Sequence, residues 1–484
     1  MKLSLVIPAY TVDYGAFAGV ASSILPLPPL NICILGALAK HEGWDVQVID
    51  AEIEKLNDDQ LIERIFEFKS DIVGFTATTP FFHNIERITK KIKERSKMFI
   101  IVGGPHVSIF KEKSFLQHFD CLFIGESEEV FPLFLQHFAS NKREFNIKGI
   151  MYRNYENTIV YHGDTSFVED LNSIPFPDHT LLKRDLYKMS TPDGVKKLCS
   201  MIQMSRGCPY QCVYCANALY GKKIRRRGLD NVIEELIIII KNRGIEHIYF
   251  SDDTLTYDRG YMLALCDKIE ELNLKFTFEG HTRADLWDEH LAKRLQAIGL
   301  VRISFGLESA DPRIKKIINK NIPLEKYIEA SKINNKLGIE TMTSVMLGLP
   351  GENRESIKTT VDFLCKTPEI KNVTYGIAIP YPGTEMLKMA ERNEYGLKIL
   401  DKDFSKYHRY GYSVMQVGDI SPKEMIVLQQ KGLIRIYLCW WRLLPMLKLH
   451  GFFRLLPPAF YAIKAIFSQV YKRSKNKVKH SAAQ

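Results

Sequence analysis

Ser205-Arg206-Gly207-Cys208-Pro209-Tyr210-Gln211-Cys212-Val213-Tyr214-Cys215 is the stretch around which this 484-residue chain is organised. Its three cysteines are separated by three and by two residues, a spacing that lets a short loop turn three sulfurs onto one soft-metal centre. A structural zinc wants a fourth Cys or His beside them, whereas an iron-sulfur cubane ligated through three irons keeps its fourth iron open to a ligand. No fourth ligand stands near in sequence. The plainer readings of the spacing are a zinc knuckle completed by a distant His, or three reduced thiols in a turn.

Downstream of the cysteines, apolar runs recur at His247 to Phe250, Phe276 to Glu279, Val301 to Gly306, Thr343 to Leu347 and Val373 to Ile379, with helical stretches between them. With the run at Met201-Ile202 before the cysteines they make six strand-helix units, a partial (β/α)6 TIM-type barrel over residues 196–395. Active sites of such barrels assemble at the carboxyl ends of the strands. The residues found there are Ser251-Asp252-Asp253, Thr282-Arg283, Glu308 after Ser304-Phe305-Gly306-Leu307, Gly348 in Leu347-Gly348-Leu349-Pro350-Gly351-Glu352, and Pro380-Tyr381-Pro382-Gly383-Thr384. Any one of these is an ordinary loop feature; five in barrel order behind one cysteine triad are a pattern.

Upstream, apolar runs at Leu3 to Ile7, Val46 to Ile49, Ile72 to Phe75, Phe99 to Val102 and Cys121 to Ile124 alternate with helical spacers. That predicts a doubly wound, Rossmann-like α/β domain over residues 1–145, with ligands at the carboxyl ends of its strands. The loops at those ends carry Thr76 and Thr78, then Gly103, Gly104 and His106, then Gly125 and Glu126, small or polar residues that let a bulky ligand approach the backbone. Residues 146–195, with strand-like pieces and the cluster Ile174-Pro175-Phe176-Pro177-Asp178, are expected as a linker.

CxxxCxxC with an aromatic, here Tyr214, before its third cysteine resembles the signature of the radical S-adenosylmethionine (SAM) superfamily. The resemblance implies a 4Fe-4S cluster on Cys208, Cys212 and Cys215, whose open iron chelates SAM and whose electron cleaves it to a 5'-deoxyadenosyl radical. It further implies that Asp252 or Asp253 meets the SAM amino group, Arg283 its carboxylate, Glu308 its ribose or amino group, and Gly348 its adenine. An N-terminal Rossmann-like domain before such a barrel resembles the cobalamin-binding radical SAM proteins, which include the anaerobic magnesium-protoporphyrin monomethyl ester cyclase and several methylases. Cobalamin would then lie against Thr76, Thr78, Gly103, Gly104, His106, Gly125 and Glu126. The Asp-x-His-x-x-Gly motif that supplies a lower histidine to cobalt elsewhere is absent, so that ligand is not expected here. The implied activity is methylation of an unactivated carbon in a natural-product or lipid-like substrate. The alternatives are a radical cyclase, rearrangement or oxidation, and a non-catalytic zinc-stabilised membrane-docking module. An external reductant of flavodoxin or ferredoxin type is implied as well.

Composition is that of a globular protein, 46% hydrophobic, with nine cysteines of which six are scattered in mostly apolar surroundings. This reading and an oxygen-sensitive cluster predict a reducing cytoplasm. The formal charge of +10 belongs to the tail: Met425 to Gln484 holds eleven Lys and Arg and no acid, leaving the rest near −1. No nucleic-acid partner follows for the core. Residues 14–39 lack charge but are broken by Pro26, Pro28 and Pro29, which predicts a loop entering a buried helix rather than a span. Residues 396–484 are expected to be a helical, basic extension; from Leu433 to Tyr471 it interleaves aromatics with Arg and Lys. Such a mixture either packs on the barrel or lies on an anionic membrane surface.

Overall fold

The computed structural model describes residues 1–10, 27–216 and 220–443. The uncharged stretch is described only from residue 27 on, where it enters a helix over Leu30–His41.

Strands β1 (Lys2–Ile7), β2 (Asp45–Asp50), β3 (Ile72–Thr76), β4 (Phe99–Gly103) and β5 (Cys121–Phe123) form the parallel part of the first sheet, in the order β2-β1-β3-β4-β5. β3, β4 and β5 are continuous apolar runs because both faces are buried, while β1 and the edge strand β2 admit polar residues within the run, Ser4 and Gln47. Val73, Phe75, Ile100, Val102 and Leu122 pack into one core, while Ile72, Ile101, Cys121 and Phe123 pack into the other. Chain order reverses between β1 and β3, the switch point at which doubly wound sheets bind ligands.

The expected linker does more than connect. Strands β6 (Ile150–Arg153) and β7 (Ile159–Tyr161) pair antiparallel onto β5 and extend the first sheet to seven strands. Strand β8 (Lys188–Ser190) pairs antiparallel with β9 (Lys196–Ile202) at the edge of the second sheet. The reason is edge protection: β5 has three residues and would otherwise leave its backbone unpaired.

After β9 come a small hairpin, β10 (Ser205–Arg206) with β11 (Arg225–Arg226), and five further strands of the second sheet: β12 (His247–Phe250), β13 (Thr277–Thr282), β14 (Leu300–Glu308), β15 (Glu340–Leu347) and β16 (Asn372–Ile377). From β9 to β16 all six are parallel and neighbours in chain order, an open partial barrel. One contiguous core fills it.

The described part of the C-terminal extension is not all helix. It begins with a hairpin, β17 (Leu397–Ile399) and β18 (Met415–Val417), followed by a helix over Pro422–Tyr437. This segment closes the free edge of β16. The Tyr437 hydroxyl both accepts from Val373 N (3.1 Å) and donates to Val373 O (2.6 Å), Gln429 Nε2 donates to Tyr375 O (3.0 Å), and Ile377 N donates to Arg409 O (2.9 Å). Buried backbone groups thereby find partners without another strand. Arg442 ties the segment down by donating to the carbonyls of Leu364, Ile370, Lys371 and Ile436. The aromatic, basic stretch after residue 443 lies outside the described residues, and among those described no helix is long and apolar enough to cross a membrane.

Candidate active site

The cysteine loop hangs from the β10–β11 hairpin. Gly207 sits at φ 92° with its would-be Cβ 2.3 Å from Lys223 O, so only glycine lets the two arms close above the loop. Asp252 holds the hairpin at its base, accepting from Met204 N (3.2 Å) and Ser205 Oγ (2.5 Å). It is 3% exposed, and burial raises its carboxyl to about 6. Both oxygens are thus committed to the chain, and Asp252 does not line the cavity; its neighbour Asp253, also raised by burial, does.

That cavity, about 420 Å³, opens at the carboxyl ends of the barrel strands. Cys208, Cys212 and Cys215 all face it, Cys215 the most exposed of the three. Glu308 and Arg283 line it as well. Glu308 adopts φ 63°, a conformation that β-strand residues avoid, and is held there by the Tyr214 hydroxyl (3.1 Å) and Lys320 Nζ (2.9 Å). A Cβ on Gly306 would come 2.2 Å from Glu308 Oε1 and 2.4 Å from Lys320 Nζ, which explains glycine at that point of the strand. Arg283 is gripped by Asp285 (2.7 and 3.0 Å) and lies flat on the Tyr210 ring, 3.6 Å from its centroid. Gly348 is not among the lining residues; at φ 85° it and Leu349 donate their N–H groups to the buried Glu352 (2.6 and 3.1 Å). Burial pushes that carboxyl up to about 8, ahead of the two hydrogen bonds that oppose the shift.

At the strand ends of the first domain, β3 and β4 are stitched by Ala77 N to Gly103 O (2.7 Å) and His106 N to Ala77 O (3.0 Å). Gly104 has φ 102° and a would-be Cβ 2.8 Å from both Ala77 N and O, so the turn demands glycine. Thr76, Thr78, Gly103 and Gly104 are half-buried and Gly125 is exposed, which leaves these positions open at the strand ends. Thr76 Oγ1 accepts from Asn31 Nδ2 (2.8 Å) and Gly125 N donates to Ser108 Oγ (3.0 Å), and two further expected contacts, His106 and Glu126, are buried in other interactions. His106 is 3% exposed, stacks on Phe82 (4.1 Å), bonds Thr79 Oγ1 (3.2 Å) and is lowered to about 4 by burial, so it is a neutral packing residue. Glu126 reaches across to the cysteine hairpin: it accepts from both Nη atoms of Arg225 (2.6 and 2.7 Å), with Arg206 at 3.4 Å and Val168 N at 2.8 Å. Small residues at strand ends signalled an open ligand face; burial of an ionic side chain across a domain boundary carries no local sequence signal.

Several cavity residues escaped sequence reasoning. Lys320 stands in an ordinary Asn-Lys-Asn turn, and His281 and Arg409 have no motif around them. Nothing in the sequence pointed to Lys320: the φ of Glu308 and the ion pair joining the two residues emerge only in the fold.

Family comparison agrees with this geometry. The Radical SAM superfamily profile matches residues 202–364, and the B12 binding domain profile matches residues 18–135. The uncharacterized methyltransferase PH0819 of Pyrococcus horikoshii is 31% identical over 445 residues, covering 90% of this chain and 93% of that protein. The chain belongs to the cobalamin-binding radical SAM enzymes. The anaerobic magnesium-protoporphyrin IX monomethyl ester cyclase of Rubrivivax gelatinosus is 26% identical over 79% of this chain and 68% of its own. In fold, this radical SAM enzyme resembles the radical SAM methyltransferase TsrM of Kitasatospora setae, solved with cobalamin and a 4Fe-4S cluster. The TM-score is 0.67 at 16% identity, over 90% of this chain and 88% of that one.

The enzyme's cofactors are therefore a 4Fe-4S cluster, SAM and cobalamin, and its residues fit them. Cys208, Cys212 and Cys215 border one cavity at the strand ends, a set of three thiolates with space beside them for a ligand on a cluster's free corner.

Proposed function

We propose that this enzyme transfers a methyl group to an unactivated carbon of a small, largely apolar substrate. The observation that carries the reading is the mixed lining of the cavity: the three cysteines, Asp253, Arg283 and Glu308 border it together with the apolar side chains of Phe305, Met346, Ile377 and Ile379. When bound, the cluster with SAM supplies a carbon-centred radical and cobalamin supplies the methyl group. The chain's own residues position and enclose. Cys208, Cys212 and Cys215 would ligate the cluster. Arg283, oriented by Asp285 and Tyr210, presents a guanidinium to the SAM carboxylate, and Glu308, braced by Tyr214 and Lys320, accepts from its ribose or amino group. Asp253 lines the same cavity. Thr76, Thr78, Gly103, Gly104 and Gly125 offer cobalamin an uncrowded strand-end face. The apolar wall excludes water from the reacting carbon.

The exposure of Cys215 supports reduction by an external one-electron donor of flavodoxin or ferredoxin type. The likeness to the cyclase favours a second reading, ring closure begun by the same radical. The test is anaerobic reconstitution with iron, sulfide and hydroxocobalamin, followed by visible spectra and mass spectrometry after reduction. Retained cobalamin with 5'-deoxyadenosine that disappears in Cys212→Ala is the expected result. Deoxyadenosine without retained cobalamin would overturn the methyl-transfer reading, and a product heavier by one methylene separates it from cyclisation.

A further inference from the structure

The cavity's cations are not equivalent. Lys320 is paired with Glu308 and Arg283 with Asp285. Arg409 also lines the cavity, yet has no carboxylate partner among the described residues. Its placement is built. The backbone around it is pinned where Arg409 O accepts from Ile377 N (2.9 Å) and Gln429 Nε2 (2.9 Å), and the Tyr381 hydroxyl donates to Tyr407 O (3.0 Å). Its guanidinium lies on β16 over Gly376, where a Cβ would stand 3.0 Å from Nε and 3.3 Å from Nη2. The neighbouring wall is apolar, formed by Met346, Ile377 and Ile379. An exposed guanidinium on a pinned backbone, beside apolar side chains and without the carboxylate partner that Arg283 and Lys320 each have, is a receptor for an anion carried on an apolar body.

We propose that Arg409 is a specificity residue that selects substrates bearing a carboxylate or phosphate, so that the substrate is an amphiphilic anion. This rests on the methyl-transfer reading for the substrate's fate, but the selectivity is a binding property and is read without turnover. The guanidinium pairs with the anionic head, and the apolar body lies along β15 and β16 towards the cysteine wall.

The test measures binding of decanoate, decyl phosphate and the uncharged decanamide to the reconstituted full-length protein by calorimetry. The anions are expected to bind about tenfold or more tightly than the amide, the scale of a charge-assisted bidentate pair. In Arg409→Gln that preference is expected to vanish. Gly376→Ala, which displaces the guanidinium without removing it, is expected to weaken it. Equal affinities in the parent protein, or a preference that survives Arg409→Gln, would overturn the proposal. Cobalamin retention and SAM affinity in Arg409→Gln locate the anion: values within about twofold of the parent assign it to the substrate. Loss of either assigns Arg409 to the cobalamin phosphate or the SAM carboxylate and overturns the proposal. A parent protein that prefers anions but forms no 5'-deoxyadenosine would sink the methyl-transfer reading and leave the selectivity standing.

Discussion

Replacing Glu126 by alanine should cost about 3 kcal/mol of stability and loosen the cysteine hairpin from the cobalamin domain. The side chains of Glu126 and Arg225 are 4% and 2% exposed, so the pair is out of water. Without the carboxylate, Arg225 keeps only the carbonyls of Val168 and Tyr220, and a buried cation left without its counter-charge typically costs about 3–5 kcal/mol. Arg206 retains Glu128 at 2.6 Å, which argues for the lower end of that range. Burial alone would raise the Glu126 carboxyl, but the Arg225 hydrogen bonds, Arg206 and Val168 N together bring it below its ordinary value of 4.5. The sign follows: a carboxyl depressed in the folded chain stabilises fully above its ordinary value, and the contribution fades as pH falls through its folded one. Urea unfolding of the apoprotein, parent against Glu126→Ala, should show the full gap at pH 7 and a smaller one at pH 4. A loss under about 1 kcal/mol at pH 7, or a gap of the same size at both pH values, would refute the electrostatic account.

Gly306→Ala should weaken SAM binding about tenfold or more by driving Glu308 off Lys320, at a folding cost of about 1–3 kcal/mol; unchanged SAM affinity by calorimetry would remove Glu308 from the site. The Glu352 carboxyl is raised to about 8, so the parent should lose stability as pH climbs from the ordinary carboxyl range through 8, a decline that Glu352→Gln should abolish. Parallel urea midpoints for the two proteins at pH 5.5 and 8.5 would contradict this. Arg442→Ala removes the donor to four carbonyls and should cost about 3 kcal/mol, read as early proteolysis after residue 420; parent-like protection would speak against the anchor. Leu438 and Trp440 are 63% and 68% exposed at the start of the basic tail, which should bind vesicles containing anionic lipid and release them in high salt; no flotation at low salt would favour tail packing on the protein.

Strand positions and the two sheet types were legible because apolar runs and the residues ending them are local signals. The six parallel strands of the barrel and the first five of the cobalamin domain stand where their runs are. What was not legible depends on partners distant in sequence. Glu126 sits in a loop whose small residues advertise a ligand face, yet its charge is satisfied by Arg225, 99 residues away. Asp252 and Asp253 look alike in the chain, and it is Met204 N and the Ser205 hydroxyl, nearly fifty residues upstream, that hold Asp252 inward. The hairpin of residues 397–417 escaped notice because its strands are three residues long, too short for alternation to show.

The arrangement of the domains explains why a buried ion pair stands where a ligand contact was expected. The loop after β5 meets the hairpin after β9 through Glu126 and Arg225, while the turn after β16 meets the segment after β4, where a Cβ on Gly383 would lie 3.1 Å from Ile109 Cδ1. Phe404 adds a further contact, 5.6 Å from His106 and 5.2 Å from Phe110. The Glu126 and Gly383 contacts join loops that follow the carboxyl ends of strands in the two large sheets, so those ends are turned towards each other. Doubly wound sheets and barrels each bind ligands at that end. The Glu126 pair and the Phe404 contact therefore brace the two ligand-binding ends against each other, and His106 is part of the brace at Phe404.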